Sequence, residues 1–198
     1  MNKCYYAFLF ALAANSVVCG EDRVITVTVP DSEETVIAKA DTTGKIHVLY
    51  HAAHQPMYVS TRDEGRTFSD PLPLVDSSAA HEGLEYHIWD LAVDTGGIVH
   101  VALGNNAWKL KRPKHEWGLF YTRLLPGARS FEDLRNINRK PSEGFSLAVG
   151  RNGEVTACWM ADKLFANVSS NHGQTFAAAV EIDSDLDPCN CCTTSSVY

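Results

Sequence analysis

The stretch Thr-Arg-Asp-Glu-Gly-Arg-Thr-Phe at residues 61–68 recurs as Ser-Ser-Asn-His-Gly-Gln-Thr-Phe at residues 169–176. Both copies follow the pattern (S/T)-x-(D/N)-x-G-x-T-F. A short acidic or amide side chain hydrogen-bonds the backbone of its own turn, glycine supplies a positive φ, and the final Phe returns the chain to the core. Each copy is therefore predicted to be a turn between two strands. The residues assigned to this structural role are Thr61, Asp63, Gly65, Thr67, Phe68, Ser169, Asn171, Gly173, Thr175 and Phe176.

A longer repeat surrounds these turns. Three segments each read as a strand, a tight Gly-containing turn and a second strand, and their turns begin at Asp41, Asp94 and Gly150, 53 and 56 residues apart. Each hairpin is followed by a third strand and a copy of the turn, which in the middle repeat is reduced to residues 126–131. Four short strands in a period of this size are typical of a propeller blade, whereas a β-sandwich leaves the period unexplained. The predicted repeats cover about residues 35–75, 85–135 and 145–183, with the start of a fourth at 184–198.

Together, the turns and hairpins resemble the Asp-box, or BNR, repeats of sialidase-like β-propellers. The resemblance covers nearly all of the chain after residue 20 and implies an all-β, sialidase-type propeller with six blades when complete. Three blades and a fraction would leave sheet edges open. We therefore expect an N-terminal fragment whose partners include the remaining blades. Residues 24–30 are expected to form the outer strand of the last blade.

The first twenty residues differ from the rest in composition. Lys3 precedes a nearly uninterrupted apolar stretch, and small residues lie before the charged residues 21–23. This pattern predicts a signal peptide at residues 1–20, with cleavage after Gly20, while lipidation of Cys19 is the alternative. The apolar stretch is too short for a comfortable membrane span. The protein is therefore expected to be secreted or periplasmic.

The formal net charge of −7 limits the kinds of partner. Nucleic acids and anionic membrane surfaces require a basic face, so neither is expected as the main partner. We predict a carbohydrate or protein ligand instead. No motif in the sequence predicts a cofactor.

The loops are expected to sort onto two faces. In an up-and-down blade, the loops after the first and third strands share one face, and the other connections share the opposite face. The tight turns and Asp boxes fall on the first face. The second face receives the long polar loops, and a ligand site usually lies on loops held by a rigid scaffold. These loops cover residues 51–56, 76–87, 104–117, 136–144, 160–163 and 183–193.

Candidate catalytic residues lie before the inner strand of the second repeat. Glu82, Glu85 and His87 belong to a segment rich in carboxylates and imidazoles. Such groups perform general acid-base chemistry or bind a metal. A polar loop without chemistry is the alternative, because no compact metal-binding motif is present.

Candidate ligand-binding residues lie on two loops of the same face. Trp108, Arg112 and Trp117 belong to the one basic and aromatic loop of this acidic chain. An arginine can hold a carboxylate, and tryptophans can stack on a sugar ring. A solvated loop anchored by Trp is the alternative. His51 and His54 lie on a neighbouring loop of the same face.

A cysteine cluster occupies the last predicted loop. Cys189, Cys191 and Cys192 are close in sequence, and Cys158 is the remaining cysteine of the mature chain. In an exported protein these residues are expected to form disulfides or bind a metal. The connectivity stays open, and it includes a vicinal Cys191–Cys192 bond.

The resemblance implies an activity that this sequence only partly supports. Sialidases hold the substrate carboxylate with three arginines and use an Asp acid/base and a Tyr–Glu nucleophile. The first arginine usually lies in an Arg-Ile-Pro-like segment, whereas Arg23 here lies in a different context, and the nucleophile pair would lie beyond Tyr198. Two hypotheses follow. The first is a non-catalytic propeller that binds a glycan or protein partner through its long-loop face. The second is a sialidase-like exo-glycosidase or its fragment.

Overall fold

Three four-stranded antiparallel sheets make up the fold. The computed structural model describes residues 27–76, 83–140, 142–183 and 194–196. Within them each sheet contains four strands in chain order. Blade A contains β1 (Glu34–Ala40), β2 (Ile46–Ala52), β3 (Gln55–Thr61) and β4 (Leu72–Pro73). Blade B contains β5 (Tyr86–Val93), β6 (Val99–Asn105), β7 (Leu119–Leu124) and β8 (Arg135–Asn138). Blade C contains β9 (Glu143–Val149), β10 (Val155–Met160), β11 (Leu164–Ser169) and β12 (Val180–Asp183).

The hydrophobic core lies between the blades. Because successive side chains of a strand point to opposite faces, each sheet can pack on two neighbours. One cluster joins Leu49 and Tyr58 of blade A to Leu103 of blade B, and a second joins blade B to Trp159 of blade C. Strand β6, at the centre of blade B, is buried at all seven positions. Burial between sheets therefore supplies most of the apolar contact.

A bulge in β5 connects the three inner strands. The ladder with β6 shifts register between Ile88 and Asp90, so Trp89 is the extra residue. Asp90 accepts hydrogen bonds from the Lys39 side chain of β1 at 2.9 Å and from the Leu147 N–H of β9 at 2.8 Å. One carboxylate thus bonds to an inner strand on each side. Such bulges re-aim side chains out of the regular alternation of a strand.

Turn A (residues 61–68) and turn C (residues 169–176) share one hydrogen-bond pattern. In turn A, Thr61 Oγ1 accepts from Gly65 N at 3.0 Å, and Asp63 Oδ1 accepts from Thr67 N at 2.9 Å. In turn C, Ser169 Oγ accepts from Gly173 N at 2.9 Å. Asn171 Oδ1 accepts from Thr175 N, also at 2.9 Å. The common element is one side-chain oxygen, so Asp and Asn serve equally well. These bonds lower the pKa of Asp63 to about 2, with the bond from the Thr67 N–H as the largest cause.

Turn C also joins blade C to blade B. The ring nitrogen Nδ1 of His172 lies 2.8 Å from Asp94 Oδ2, and the fully buried Asp94 carboxylate also lies 3.7 Å from His100 Nε2. His100 Nδ1 lies 2.6 Å from the Tyr121 hydroxyl. Phe176 closes the turn by packing edge-on against Tyr121, with ring centroids 4.9 Å apart. Turn C is therefore part of the packing between two blades.

The predicted all-β propeller-type fold is confirmed, and two local expectations are wrong. Residues 51–56 form no long loop, because β2 and β3 are joined by a two-residue turn at Ala53 and His54. Residues 27–30 form no strand, although Val29 is buried against Val48 and Tyr50 of blade A. The predicted signal peptide lies outside the described residues. Within the described ranges, no helix is long and apolar enough to cross a membrane.

The first prediction concerns the carboxylate that links the inner strands. Asp90→Ala removes the acceptor of the Leu147 N–H and the partner of Lys39. We expect the free energy of unfolding to fall by about 1–3 kcal/mol, the usual cost of leaving a buried donor unpaired. Urea denaturation followed by circular dichroism measures this loss. Asp133→Ala, at an exposed position, is the matched control, and equal effects of the two substitutions would contradict the role of Asp90.

The second prediction concerns pH and the buried Asp94. Burial alone raises the pKa of Asp94, but the nearby His100 ring and the hydrogen bonds from His172 and the Ile98 N–H outweigh it and lower the pKa well below its ordinary value. A carboxyl with a lower pKa in the folded state stabilises the fold above about pH 4 and loses this contribution as the pH falls through the folded-state pKa. Wild type should therefore be more stable than Asp94→Asn near pH 5.5, and this difference should shrink toward about pH 2.5.

Urea titrations of both proteins across that range measure the difference. Asp133→Asn is the control for general effects of charge, because Asp133 is exposed. A stability difference between wild type and Asp94→Asn that stays constant over the whole range would contradict the prediction.

Candidate functional site

The loop between β6 and β7 is built by its own hydrogen bonds. Arg112 Nε donates to Glu116 Oε2 at 2.6 Å, and Trp117 Nε1 donates to the Arg112 carbonyl at 2.8 Å. Asn105, at the end of β6, donates to the Glu116 carbonyl at 2.8 Å. The loop contains one short 3-10 helix, Lys114–Glu116. Its side chains are thus held in place before any ligand binds.

A cavity of about 300 Å³ lies between this loop and the start of β5, and we call it the tryptophan cavity. Three tryptophans, Trp89, Trp108 and Trp117, contribute to its wall. Trp108 is 46% exposed, so part of its ring is available to a ligand. The remaining lining residues are His87, Ile88, Gly104, Asn105, Asn106, Lys109, Gly118, Leu119, Lys140 and Ser142.

The position of Trp89 follows from the bulge and from a glycine on the neighbouring strand. The extra residue in β5 gives Trp89 a direction that regular alternation would not. Gly104 of β6 pairs with His87 in the ladder, and the Trp89 indole occupies the space that a side chain at Gly104 would fill. The indole therefore lies against bare backbone.

Two lysines give the tryptophan cavity a positive charge. Lys109 Nζ lies 5.6 Å from the centre of the Trp108 ring, and Lys140 Nζ lies 5.9 Å from the Phe165 ring. Among the lining residues that the structure describes there is no Asp or Glu. Partial burial lowers the pKa of His87, with Lys109 and His51 acting in the same direction and Glu85 opposing them. The site therefore combines aromatic surface with two lysine side chains.

A second cavity, of about 320 Å³, lies at the boundary of blades A and B, and we call it the histidine cavity. It gathers three imidazoles and three carboxylates, and His87 lines both cavities. This composition suits proton transfer or hydrogen bonding to hydroxyl groups. The lining residues are Glu33, Glu34, His51, His54, Glu85, Tyr86 and His87.

The blade A side of the histidine cavity is fixed by strained backbone and by one bond between blades. Ala53 and His54 both have positive φ, at 48° and 62°, in a two-residue turn where Asn-Gly is usual. Each such residue costs on the order of 1 kcal/mol or more. His51 Nε2 donates to the Tyr86 carbonyl at 3.2 Å. This bond joins the end of strand β2 to the start of strand β5.

The structure separates the predicted site residues into two groups. Trp108, Trp117 and His87 line the tryptophan cavity, whereas Glu85, His51 and His54 line the histidine cavity with His87. Arg112 lines neither cavity, because it pairs with Glu116 within the loop. Glu82 and the cysteines Cys189, Cys191 and Cys192 lie outside the described residues, so their roles stay predictions.

The lining residues that sequence reasoning missed include Trp89, Lys109, Lys140, Glu33 and Glu34. Trp89 and Lys109 lie in segments that the sequence singled out, but nothing distinguished them from their neighbours. Lys140 and the two glutamates reach the cavities only through the packing of blades.

No group of three or more His, Cys, Asp or Glu side chains in the described ranges is arranged to hold a metal ion. Cys158, half-buried in β10, forms no disulfide with another described residue. The predicted pairing of the cysteines, or their binding of a metal, involves residues outside those ranges and stays a prediction.

The chain matches no known family model and no curated protein, but solved structures share its fold. A PL25 polysaccharide lyase, an ulvan lyase bound to a GlcA(1-4)Rha3S saccharide, is 11% identical with a TM-score of 0.54, over 76% of this chain and 44% of that one. A mutant NanB sialidase from Streptococcus pneumoniae is 13% identical with a TM-score of 0.48, over 72% of this chain and 21% of that one.

The Hadza microbial sialidase Hz136 is also 13% identical, with a TM-score of 0.47, over 70% of this chain and 31% of that one. The chain therefore spans less than half the length of each of these three proteins. At such low identity, the likeness to the lyase establishes a shared fold.

The third prediction concerns the wall of the tryptophan cavity. Gly104→Ala places a methyl group where the Trp89 indole lies, so the indole must move. We expect a changed tryptophan emission spectrum and a stability loss of about 1–3 kcal/mol, which is typical of overpacking. The double variant Gly104→Ala/Trp89→Phe, with a smaller ring, should recover part of that stability. Unchanged emission of the single variant would contradict the close contact.

Proposed function

We propose that this chain binds a glycan with acidic groups through the tryptophan cavity. The proposal rests on one observation: three tryptophans and two lysines line the same cavity of about 300 Å³. A concave site of this size suits a small number of sugar rings better than a flat protein surface. A protein ligand is the weaker form of the proposal.

Aromatic rings supply the first part of the binding energy. Indole faces pack against the C–H groups of a sugar ring and bury much area at a low cost in side-chain entropy. The half-exposed Trp108 and the more enclosed Trp89 and Trp117 offer such faces. Because the loop is held by the bonds of Arg112 and Glu116, little ordering is required on binding.

Charge supplies selectivity. The chain carries a net charge of −7, so an anionic ligand is repelled except where local cations dominate. Lys109 and Lys140 line the cavity, and the described lining residues include no carboxylate. A carboxylate or sulfate on the sugar therefore gains a charge-assisted interaction.

The type of propeller and the export of the chain are both inferred from the sequence. We place turns A and C among the Asp boxes of a sialidase-like propeller, on the strength of their common hydrogen bonds. Export through the N-terminal signal sequence brings the cavity into contact with extracellular glycans. The carbohydrate-active proteins of similar fold support the choice of ligand.

A second candidate is cleavage of a glycosidic bond by a sialidase-like exo-glycosidase. The observation in its favour is the histidine cavity, where Glu33, Glu34 and Glu85 lie with His87, which also lines the tryptophan cavity. Glycosidases use two carboxyl groups on either side of the scissile bond. A ligand held by the tryptophans could therefore extend toward these groups.

The fourth prediction tests glycan binding. The full chain is titrated with sialyllactose, with a glucuronic acid disaccharide and with neutral lactose, and the intrinsic tryptophan fluorescence is followed. We expect an acidic saccharide to bind more tightly than lactose, and Trp108→Ala to weaken this binding about tenfold, or roughly 1.4 kcal/mol. Lys109→Met combined with Lys140→Met should remove the preference for acidic saccharides.

Val168→Ala, at an exposed apolar position on β11, is the matched control and should bind like wild type. Equal affinity for acidic and neutral saccharides would overturn the role of charge, and an unaffected Trp108→Ala variant would overturn the site. A fluorogenic sialoside assay separates the two candidates. Turnover that disappears in Glu85→Gln favours the enzyme, whereas binding without turnover favours the binding module.

A further inference from the structure

A third cavity opens on the opposite face, between blades A and B, and we call it the turn-face cavity. Its volume is about 650 Å³. It lies at the tight turns, away from both cavities described above, and it makes no use of the predicted site residues. It is lined by Lys45, Tyr58, Ser60, Ser69, Asp70, Leu72, Gly97, Val99 and residues 124–129.

The boundary between blades A and B and the boundary between blades B and C contain the same three residue types at equivalent positions. Asp41, His47 and Tyr58 of blade A repeat Asp94, His100 and Tyr121 of blade B. His47 Nδ1 lies 2.8 Å from the Tyr58 hydroxyl, as His100 lies 2.6 Å from Tyr121. Phe131 packs edge-on against Tyr58 with ring centroids 5.6 Å apart, as Phe176 does against Tyr121. These residues of the two boundaries therefore correspond position by position.

At the boundary of blades B and C, turn C fills the groove. Arg123 donates to the His172 carbonyl at 2.6 Å, and Arg135 donates to the Gly173 carbonyl at the same distance. The backbone of Gly173 lies so close to the Tyr121 hydroxyl that a side chain would not fit. Nothing larger than the turn itself is accommodated there.

At the boundary of blades A and B, the same positions carry different residues. In the strand ladders, Ser60 takes the place of Arg123 opposite the histidine, and Leu72 takes the place of Arg135 opposite the tyrosine. The reduced turn of blade B, residues 126–131, carries no histidine. Both the filling turn and the arginines that hold it are missing, so the groove stays open.

The open groove has an apolar wall and a positive charge. Leu72, Leu125 and Pro126 supply the accessible part of this wall, above the buried Tyr58 and Val99. Among the described lining residues, Lys45 and Arg129 outnumber the carboxylate of Asp70, and neither cation forms an ion pair with another described residue. Burial lowers the pKa of Lys45, the nearby Arg62 lowers it further, and Asp41 acts against both.

The Asp41 carboxylate acts on Lys45 through its charge but is not among the described residues that line the cavity. It accepts hydrogen bonds from the Thr43 N–H at 2.8 Å, the Thr43 hydroxyl at 2.7 Å and the Lys45 N–H at 3.0 Å. His47 Nε2 also lies 3.3 Å from its other oxygen. Its bonds are thus committed to the tight turn.

We infer that the turn-face cavity is a second binding site, for a small organic anion with one carboxylate or sulfate group on a ring. The ring packs on Leu72, Leu125 and Pro126, and the anionic group pairs with Lys45 and Arg129. The site is independent of the tryptophan cavity, so it stands or falls apart from the proposed glycan binding. An apolar body and a charge are both needed, because exposed ion pairs alone contribute little.

The fifth prediction uses 4-nitrobenzoate as the probe, with the neutral isostere 4-nitrobenzamide and inorganic sulfate as comparisons. Equilibrium dialysis is performed on the Trp108→Ala/Lys109→Met variant, whose tryptophan cavity is impaired. It should give one site, at which 4-nitrobenzoate binds about tenfold more tightly than either comparison. Lys45→Met should lower this affinity about tenfold. Ala128→Trp, at an exposed lining position, should fill the opening and abolish binding.

Two controls keep the result interpretable. Arg151→Met removes an exposed cation from the tight turn of blade C and should bind the probe like wild type. Thermal unfolding midpoints identify any variant that has lost its fold. Inorganic sulfate binding as tightly as 4-nitrobenzoate would overturn the inference, and so would a lack of binding or an unaffected Ala128→Trp variant.

Discussion

The position of Asp90 is the constraint on which the arrangement of blades depends. A carboxylate close to three inner strands needs hydrogen-bond or ion-pair partners, since an unpaired buried charge is costly. Asp90 meets this condition by accepting from Lys39 of blade A, from Leu147 of blade C and from the Leu91 N–H of its own strand at 2.7 Å. The bulge at Trp89 makes this possible. The same extra residue places the indole in the tryptophan cavity, so blade alignment and site geometry have one cause.

The same Asp, His and Tyr set packs at both blade boundaries, but a turn fills the groove at only one of them. The Asp, His and Tyr set of blade A matches that of blade B, and each tyrosine receives an aromatic ring from the next turn. Between blades B and C the turn inserts fully and is held by Arg123 and Arg135. Between blades A and B the corresponding turn is reduced, and a cavity of about 650 Å³ remains. The shorter turn of blade B thus leaves space on a face that otherwise consists of tight turns.

Each candidate site depends on local charge that opposes the charge of the whole chain. The tryptophan cavity and the turn-face cavity both have more cations than carboxylates among their described lining residues, while the chain carries −7. The histidine cavity differs, because carboxylates and imidazoles are equally represented there. The molecule therefore separates chemical character by location on a rigid β scaffold, in which the loop of Arg112 and Glu116 is as well bonded as the strands beside it.

By itself the sequence determined the all-β repeat and the hydrogen bonding of turns A and C, because these depend on residues within a few positions of each other. It also identified Trp108, Trp117 and His87 as a loop-face group. Tertiary structure alone decided the roles of Trp89 and Asp90, since a bulge changes the direction of a side chain without a signature in the local sequence. Lys140, Glu33 and the open turn-face groove likewise follow from the packing of separate blades, where residues far apart in sequence share one surface.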